Sequence, residues 1–439
     1  MSNNPGDAPD EQNPFKGTPF EQLFSGMAGP GGGMPDLGAL MGQMQAFMQP
    51  HDGPVNWAVV TDIARKVSAQ EPDPTPTAAQ RDAVADAVRL ADHWLDDTTD
   101  FPSGVTTTAA WSRAEWIVET TDVWKRLVEP IAGSAVGALG NALPEEARAM
   151  AGPLLGMLGK ATGAMVASQV GQGVGALSGE VLGASDIGLP LGPEGKAALL
   201  PDNALKFAEE LDVSTDDVLL YLALREAAHQ RLFANAPWLR EHLLGAVADY
   251  GRGIEISTAG IEEKLREIDP TNPMAIQSAM EGGLFDLAKS PAQQAALERL
   301  EITLALVEGW VDEVVSQATE QRMPAAAKLQ ETVRRRRAAG GPAEQTFASL
   351  VGLELRPRRL RDASTLWGSL RNRQGSEARD GVWMHPDLLP TAADLDDPLG
   401  FREDAAAPQS LSDEDFDAGL RDLLDGPPAP DVTPGSDDE

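Results

Sequence analysis

The sequence predicts a mainly α-helical body with disordered ends, and three observations carry that expectation. Apolar residues recur at helical spacing in segment after segment, alternating strand patterns are almost absent, and composition shifts sharply at both ends. Residues 1–54 are rich in Gly, Pro, Met and Gln, with little periodicity. From Asp394 onward, fifteen acidic residues stand against two arginines, Arg402 and Arg421, which is −13 of a total of −33. Such segments bury too little apolar surface to offset their ordering entropy. All nine tryptophans fall between Trp57 and Trp383. The expected organisation is a disordered 1–54, a helical domain over 55–390 and a disordered acidic tail over 391–439.

Helices are expected over 77–97, 107–128, 143–182, 203–211, 214–234, 238–250, 291–320, 323–338 and 357–373, and the best strand candidate is Ile254–Ser257. Residues 131–183 are rich in Gly, Ala and Met, with Gly152, Gly156, Gly159 and Gly163 at spacings of three or four. Such spacing lets helices approach closely, in a membrane or in a tightly packed hairpin. Lys160, Gln169, Gln172 and Glu180 break up every apolar stretch long enough to span. The expectation is a packed hairpin and no membrane span.

Residues 321–380 carry thirteen Lys/Arg against six Asp/Glu, including Arg334–Arg337 and Arg356-Pro-Arg-Arg-Leu-Arg361. The net charge of −33 argues against nucleic acid as a partner. The basic stretch is expected to be a solvated helix face, or a partner for the acidic tail. The absence of cysteine excludes disulfides, a thiolate nucleophile and cysteine–zinc sites. The N-terminus has neither the basic nor the apolar region of a signal peptide, so a cytoplasmic location is expected.

Chemistry concentrates in two helices. Ser214, with Asp217 three residues on, resembles a capping box. Val218-Leu-Leu-Tyr-Leu-Ala-Leu224 is apolar almost all round, so the helix should be buried. In Arg225-Glu-Ala-Ala-His229, Glu226 and His229 share a face with Leu222 and Phe233. In the second helix, Ser290 can cap and Pro291 suits the first position. Glu308 is the only charge within Ile302–Val311 and should face the interior, where a carboxylate needs a cation or several donors. Asp312 follows one turn later. His93 beside Asp92 and Asp96 reads as an exposed helix face more readily than as a metal cluster. His51 and His242 have no evident partners.

The block Tyr221-Leu-Ala-Leu-Arg-Glu-Ala-Ala-His-Gln-Arg-Leu-Phe233 resembles the active-site helix of an actinobacterial zincin family, usually labelled hydrolase or zinc-dependent metalloprotease. Leu306-Val-Glu-Gly-Trp310 resembles the glutamate-bearing helix of gluzincins, and Trp383-Met-His-Pro-Asp-Leu-Leu-Pro390 a late segment of the same family. The resemblance covers about 55–400 and implies a zincin-like helical domain acting on a peptide or protein. It implies zinc as cofactor, His229 and Glu308 as metal ligands and Glu226 as the general base. Arg225 falls where the first histidine ligand belongs. A guanidinium is always protonated and offers no lone pair. Either the chain is a metal-dependent hydrolase of the peptidase class, with His385 able to make up the ligand number, or Arg225 replaces the metal's charge by pairing with Glu308 and the chain is a non-catalytic scaffold that binds a protein partner.

Overall fold

The computed structural model describes residues 53–141, 152–209, 211–253, 290–338 and 359–402. The fold is mainly α. Helix α1 is Trp57–Ser68, α2 Ala78–Leu95, α3 Arg113–Asn141 and α4 Gly152–Ser178. Then come α5 (Pro201–Glu209), α6 (Thr215–Asn235), α7 (Pro237–Arg252), α8 (Pro291–Thr319), α9 (Ala326–Ala338), α10 (Leu360–Gly381, kinked at Gly375) and the short α11 (Ala392–Asp396). Two four-residue strands, β1 (Thr107–Ala110) and β2 (Lys196–Leu199), pair in parallel. On its other side β2 meets Gly183 in an antiparallel bridge.

Local signals explain where the key helices begin. Ser214 accepts a hydrogen bond from the Asp217 amide at 3.1 Å. Ser290 and Gln293 form a full capping box, with Pro291 in the first turn. From Tyr221 to Phe233 every residue of α6 is buried, as an apolar circumference requires. Helix α6 packs against α2, α8 and β2, and α8 packs against α7 and α10. The two chemistry-bearing helices therefore meet in the core.

Three sequence expectations change. The segment expected to be helical from 107 opens instead as β1, and the helix starts at Arg113. Helices α1 and α11 were not expected. The folded body continues past residue 390, with Leu395 and Phe401 buried and the Arg359 guanidinium on the Ala392 carbonyl at 2.9 Å. The strand candidate Ile254–Ser257 and most of the acidic tail lie outside the described residues.

The small-residue stripe of α4 packs on α1. A Cβ at Gly171 would lie 2.8 Å from Ile63, and one at Gly175 would lie 2.7 Å from the Ala64 carbonyl oxygen. Only hydrogen fits there. No helix among the described residues is long and apolar enough to cross a membrane.

Buried arginines bind the helices together. Arg379, fully buried, donates to Glu313 at 2.6 Å, Asp380 at 2.8 Å and the Thr98 carbonyl at 2.7 Å. Asp380 also accepts from Trp310 Nε1 at 2.9 Å and Thr99 Oγ1 at 2.6 Å. Arg231 is held by Asp92, Asp96 and the Phe101 carbonyl. Those two aspartates thus serve a buried cation, while His93 is exposed beside Asp96 at 3.5 Å. Arg379→Ala removes the cation shared by two buried carboxylates and should cost about 3–5 kcal/mol in urea denaturation. A loss below about 1 kcal/mol, the range of exposed pairs, would contradict this account.

Candidate functional site

Helices α6 and α8 bring Arg225, Glu226, His229 and Glu308 together, all at least nine-tenths buried. Arg225 Nη2 donates to Glu308 Oε2 at 2.6 Å, which is the expected ion pair. His229 Nε2 lies 3.1 Å from Glu308 Oε1. Its Nδ1 lies 2.8 Å from the Arg225 carbonyl oxygen, one turn back on the same helix. The His229 ring stacks on Phe233 at 6.1 Å between centroids.

The face of Glu308 not covered by α6 is approached by Arg337 of α9, with Nη2 3.5 Å from Oε1 and 3.6 Å from Asp186 Oδ1. Arg337 belongs to the run expected to be a solvated helix face. That expectation fails for three of its four members. Arg334 pairs with Asp312, Arg336 donates to the Glu180 carbonyl, and Arg337 is buried at Glu308. Only Arg335 is well exposed.

Burial alone would push the Glu308 carboxyl up. The charges of Arg337 and Arg225 and the hydrogen bond from His229 outweigh it and hold Glu308 well below the usual carboxylate range. Arg225 shows the counterpart. Burial disfavours its charge, but the neighbouring Glu308 carboxylate more than compensates. Both groups are therefore ionised across the ordinary pH range.

Glu226 has no such cation against it. Its Oε2 accepts from the Ser185 amide at 3.0 Å, and its Oε1 from Gln230 Nε2 at 2.9 Å and Ser185 Oγ at 3.3 Å. Burial is the largest influence and raises its pKa, which His229, Gln230 and Ser185 only partly offset. Its carboxyl therefore holds a proton to higher pH than an ordinary glutamate does.

The segment 182–188 roofs the site. The Asp186 carboxylate accepts from the Leu182 amide at 3.1 Å and folds the loop back on itself. Gly188 has φ +76°, and a Cβ there would lie 2.9 Å from Glu308 Oε1. Glycine is needed for both reasons. A cavity of about 20 Å³ lies among Leu182, Ser185, Asp186, Arg225, Glu226 and His229, room for about one water.

Sequence reasoning found Arg225, Glu226, His229 and Glu308 and missed Ser185, Asp186, Gly188, Gln230 and Arg337. His385 does not join them. It is exposed beyond α10, and its Nδ1 accepts from the Asp387 amide at 3.2 Å. His242 meets the edge of Trp238 at 5.4 Å, and His51 lies outside the described residues. Asp312 sits one turn from Glu308 and is occupied by Arg334 and by Ser364 Oγ at 2.8 Å. Among the described residues, no three His, Asp or Glu are arranged to hold a metal ion.

The model of the zincin-like metallopeptidases matches residues 55–401, most of the chain. The chain belongs to that family. Its fold is similar to the crystal structure of "a putative hydrolase with a novel fold" from Chloroflexus aurantiacus, with a TM-score of 0.58 at 19% identity, covering 80% of this chain and 100% of that one. No curated protein matches the chain significantly in sequence. In this member of the family Glu226, His229 and Glu308 are buried together, and a guanidinium stands among them. With Arg225 donating to one oxygen of Glu308 and offering no lone pair of its own, the described side chains do not fit the three-ligand zinc of catalytic sites.

Two predictions follow from this geometry. Glu308→Ala leaves Arg225 and Arg337 buried without their anion and should cost about 3–5 kcal/mol in chemical denaturation. Arg225→Met combined with Glu308→Leu should cost less than the two single changes added together. Additive costs would mean that the two residues do not act as a pair. The second prediction concerns pH. A raised folded pKa makes Glu226 stabilising when protonated, and that contribution is lost as pH rises through the folded value. Glu308 has the opposite sign and loses its contribution only as pH falls through its lowered value. The melting temperature of Glu226→Gln should therefore gain on the wild type as pH rises from acid to neutral. A difference that does not change with pH would remove Glu226 from this account.

Proposed function

We propose that this chain is a non-hydrolytic member of the zincin-like metallopeptidases, in which arginine supplies the positive charge that zinc supplies elsewhere. It keeps the zincin core as a scaffold for a peptide or protein partner, the ligand class the family suggests. The observation that carries the reading is the 2.6 Å pair between Arg225 Nη2 and Glu308 Oε2, with both side chains buried. A family member working by hydrolysis uses His229 and Glu308 as ligands and Glu226 as the base. Here Arg225 stands at the position of the remaining histidine, and Glu308 is engaged by two guanidinium groups.

A second reading has one observation in its favour. Two donors on a tetrahedral zinc, at bonds of about 2.0–2.1 Å, lie roughly 3.3 Å apart. His229 Nε2 and Glu308 Oε1 are 3.1 Å apart. On that reading the chain is a metal-dependent hydrolase with a reduced ligand set.

Metal analysis of the purified full-length chain separates the two. The scaffold reading expects little zinc in the wild type. It expects uptake of about one equivalent in Arg225→His, which completes a His-His-Glu set. Near-stoichiometric zinc in the wild type, lost in His229→Ala, would overturn the scaffold reading and restore the hydrolase.

A further inference from the structure

We infer that a cavity between α1, α4, α5 and α9 is a binding site for a compact oxyanion, the phosphate or carboxylate group of a small molecule. It lies outside the pair of helices that forms the zincin site. Its volume is about 820 Å³, within the range of small-molecule sites, roughly 300–1,000 Å³. Its wall carries four cations, Arg113, Lys206, Arg335 and Arg336, against two carboxylates, Glu71 and Glu180. A net positive wall is notable in a chain of charge −33. Such a concave patch focuses a local field that attracts anions.

Charge alone would not make a site. The second observation is that buried donors on the same wall are left without partners. Arg113 is only 4% exposed. Its Nε donates to Asn203 at 3.0 Å and its Nη1 to Glu71 at 3.2 Å, but its Nη2 has no hydrogen-bond partner. Ser68, also buried, has an unpartnered hydroxyl on that wall. Buried donors are satisfied in nearly all native structures, so an orphan on a cavity wall calls for a partner from within the cavity, a water, an ion or a ligand. The Nη2 of this guanidinium keeps its donors for an oxyanion, with which a guanidinium makes short, charge-assisted hydrogen bonds.

Glu71 indicates the chemistry that fits. Its exposed carboxylate accepts from Arg113 Nη1 and, at 2.6 Å, from Lys206 Nζ. It holds the two cations together as a ligand oxyanion would, and it can swing to solvent when one arrives. From the opposite side α9 presents Arg336, whose guanidinium lies 5.8 Å from the centre of the Phe207 ring. That ring, with Val67 and Leu182, gives the cavity an apolar side for an organic body attached to the anion.

Isothermal titration of the full-length chain at fixed ionic strength tests this, with inorganic phosphate, phenyl phosphate and benzoate as probes. The expected result is saturable 1:1 binding of at least one probe. It should weaken about tenfold, roughly 1.4 kcal/mol, in Lys206→Gln and in Arg336→Gln. Glu71→Gln, which removes the internal competitor, should tighten it. Circular dichroism melting checks that each variant is folded, and Lys206 and Arg336 lie near enough to solvent to be replaced without opening the core. Absence of saturable heat with all three probes would overturn the proposal, as would binding that the variants leave unchanged. Displacement of the bound probe by a peptide spanning residues 411–425 would also overturn it, because the cavity would then belong to the chain's own acidic tail.

Discussion

One buried carboxylate organises the centre of this fold. Glu308 stands in an apolar run halfway along α8, almost without solvent contact. An isolated carboxylate there would be costly enough to protonate or to unfold the helix's surroundings. Three elements converge to keep it ionised. Helix α6 brings Arg225 and His229, α9 brings Arg337, and the 182–188 loop closes over it with a glycine where a side chain would collide. The packing of α6 on α8 and the placement of α9 are thus tied to one charge.

The same solution is repeated along α8. Asp312, one turn on, is met by Arg334 and Ser364, and Glu313 by Arg371 and Arg379. One helix exposes a row of acids to the core, and three other elements answer with arginines. Apolar residues would fill this volume with no less stability. What ion pairs add is register. Arg334, Arg336 and Arg337 of α9 each have a different destination, so a slide of α9 by one residue would leave several buried charges unpaired. We attribute the fixed placement of α9 to this constraint, since its sequence is strongly polar and its own apolar face is narrow.

The sequence made α6 and α8 legible because local rules agree there: Ser214 and Ser290 cap, apolar residues surround the interior turns, and a few polar residues interrupt them at helical spacing. Four of the site's residues follow from that pattern together with the family resemblance. The strands were not legible. Thr107–Ala110 and Lys196–Leu199 have no alternation to detect, and they exist because each pairs with the other across a long stretch of chain. Helix α1 was missed beside the low-complexity segment, and its packing on the glycines of α4 is likewise a long-range matter. Ser185, Asp186 and Gly188 come from a loop with no periodic signal. Arg337 was hidden in a basic run whose members look alike and are sorted only by the acids they meet.

Arg225 is best understood together with Arg337. A zinc ion brings two positive charges to its ligands. At this site Arg225 and Arg337 bring one each, from opposite sides of the same carboxylate. A single guanidinium would leave Glu308 with one oxygen facing only His229, while the pair places a cation near both oxygens. On the scaffold reading proposed above, the two guanidinium groups stand in for the charge of a metal. The geometry differs, however, because guanidinium groups donate through fixed forks and cannot polarise a bound water as a Lewis acid does. Glu226 reflects that difference. Its oxygens are committed to Ser185 and Gln230, and it fastens the roof loop to α6. On the scaffold reading proposed above, Glu226 acts as a tie between the loop and the helix rather than as a base.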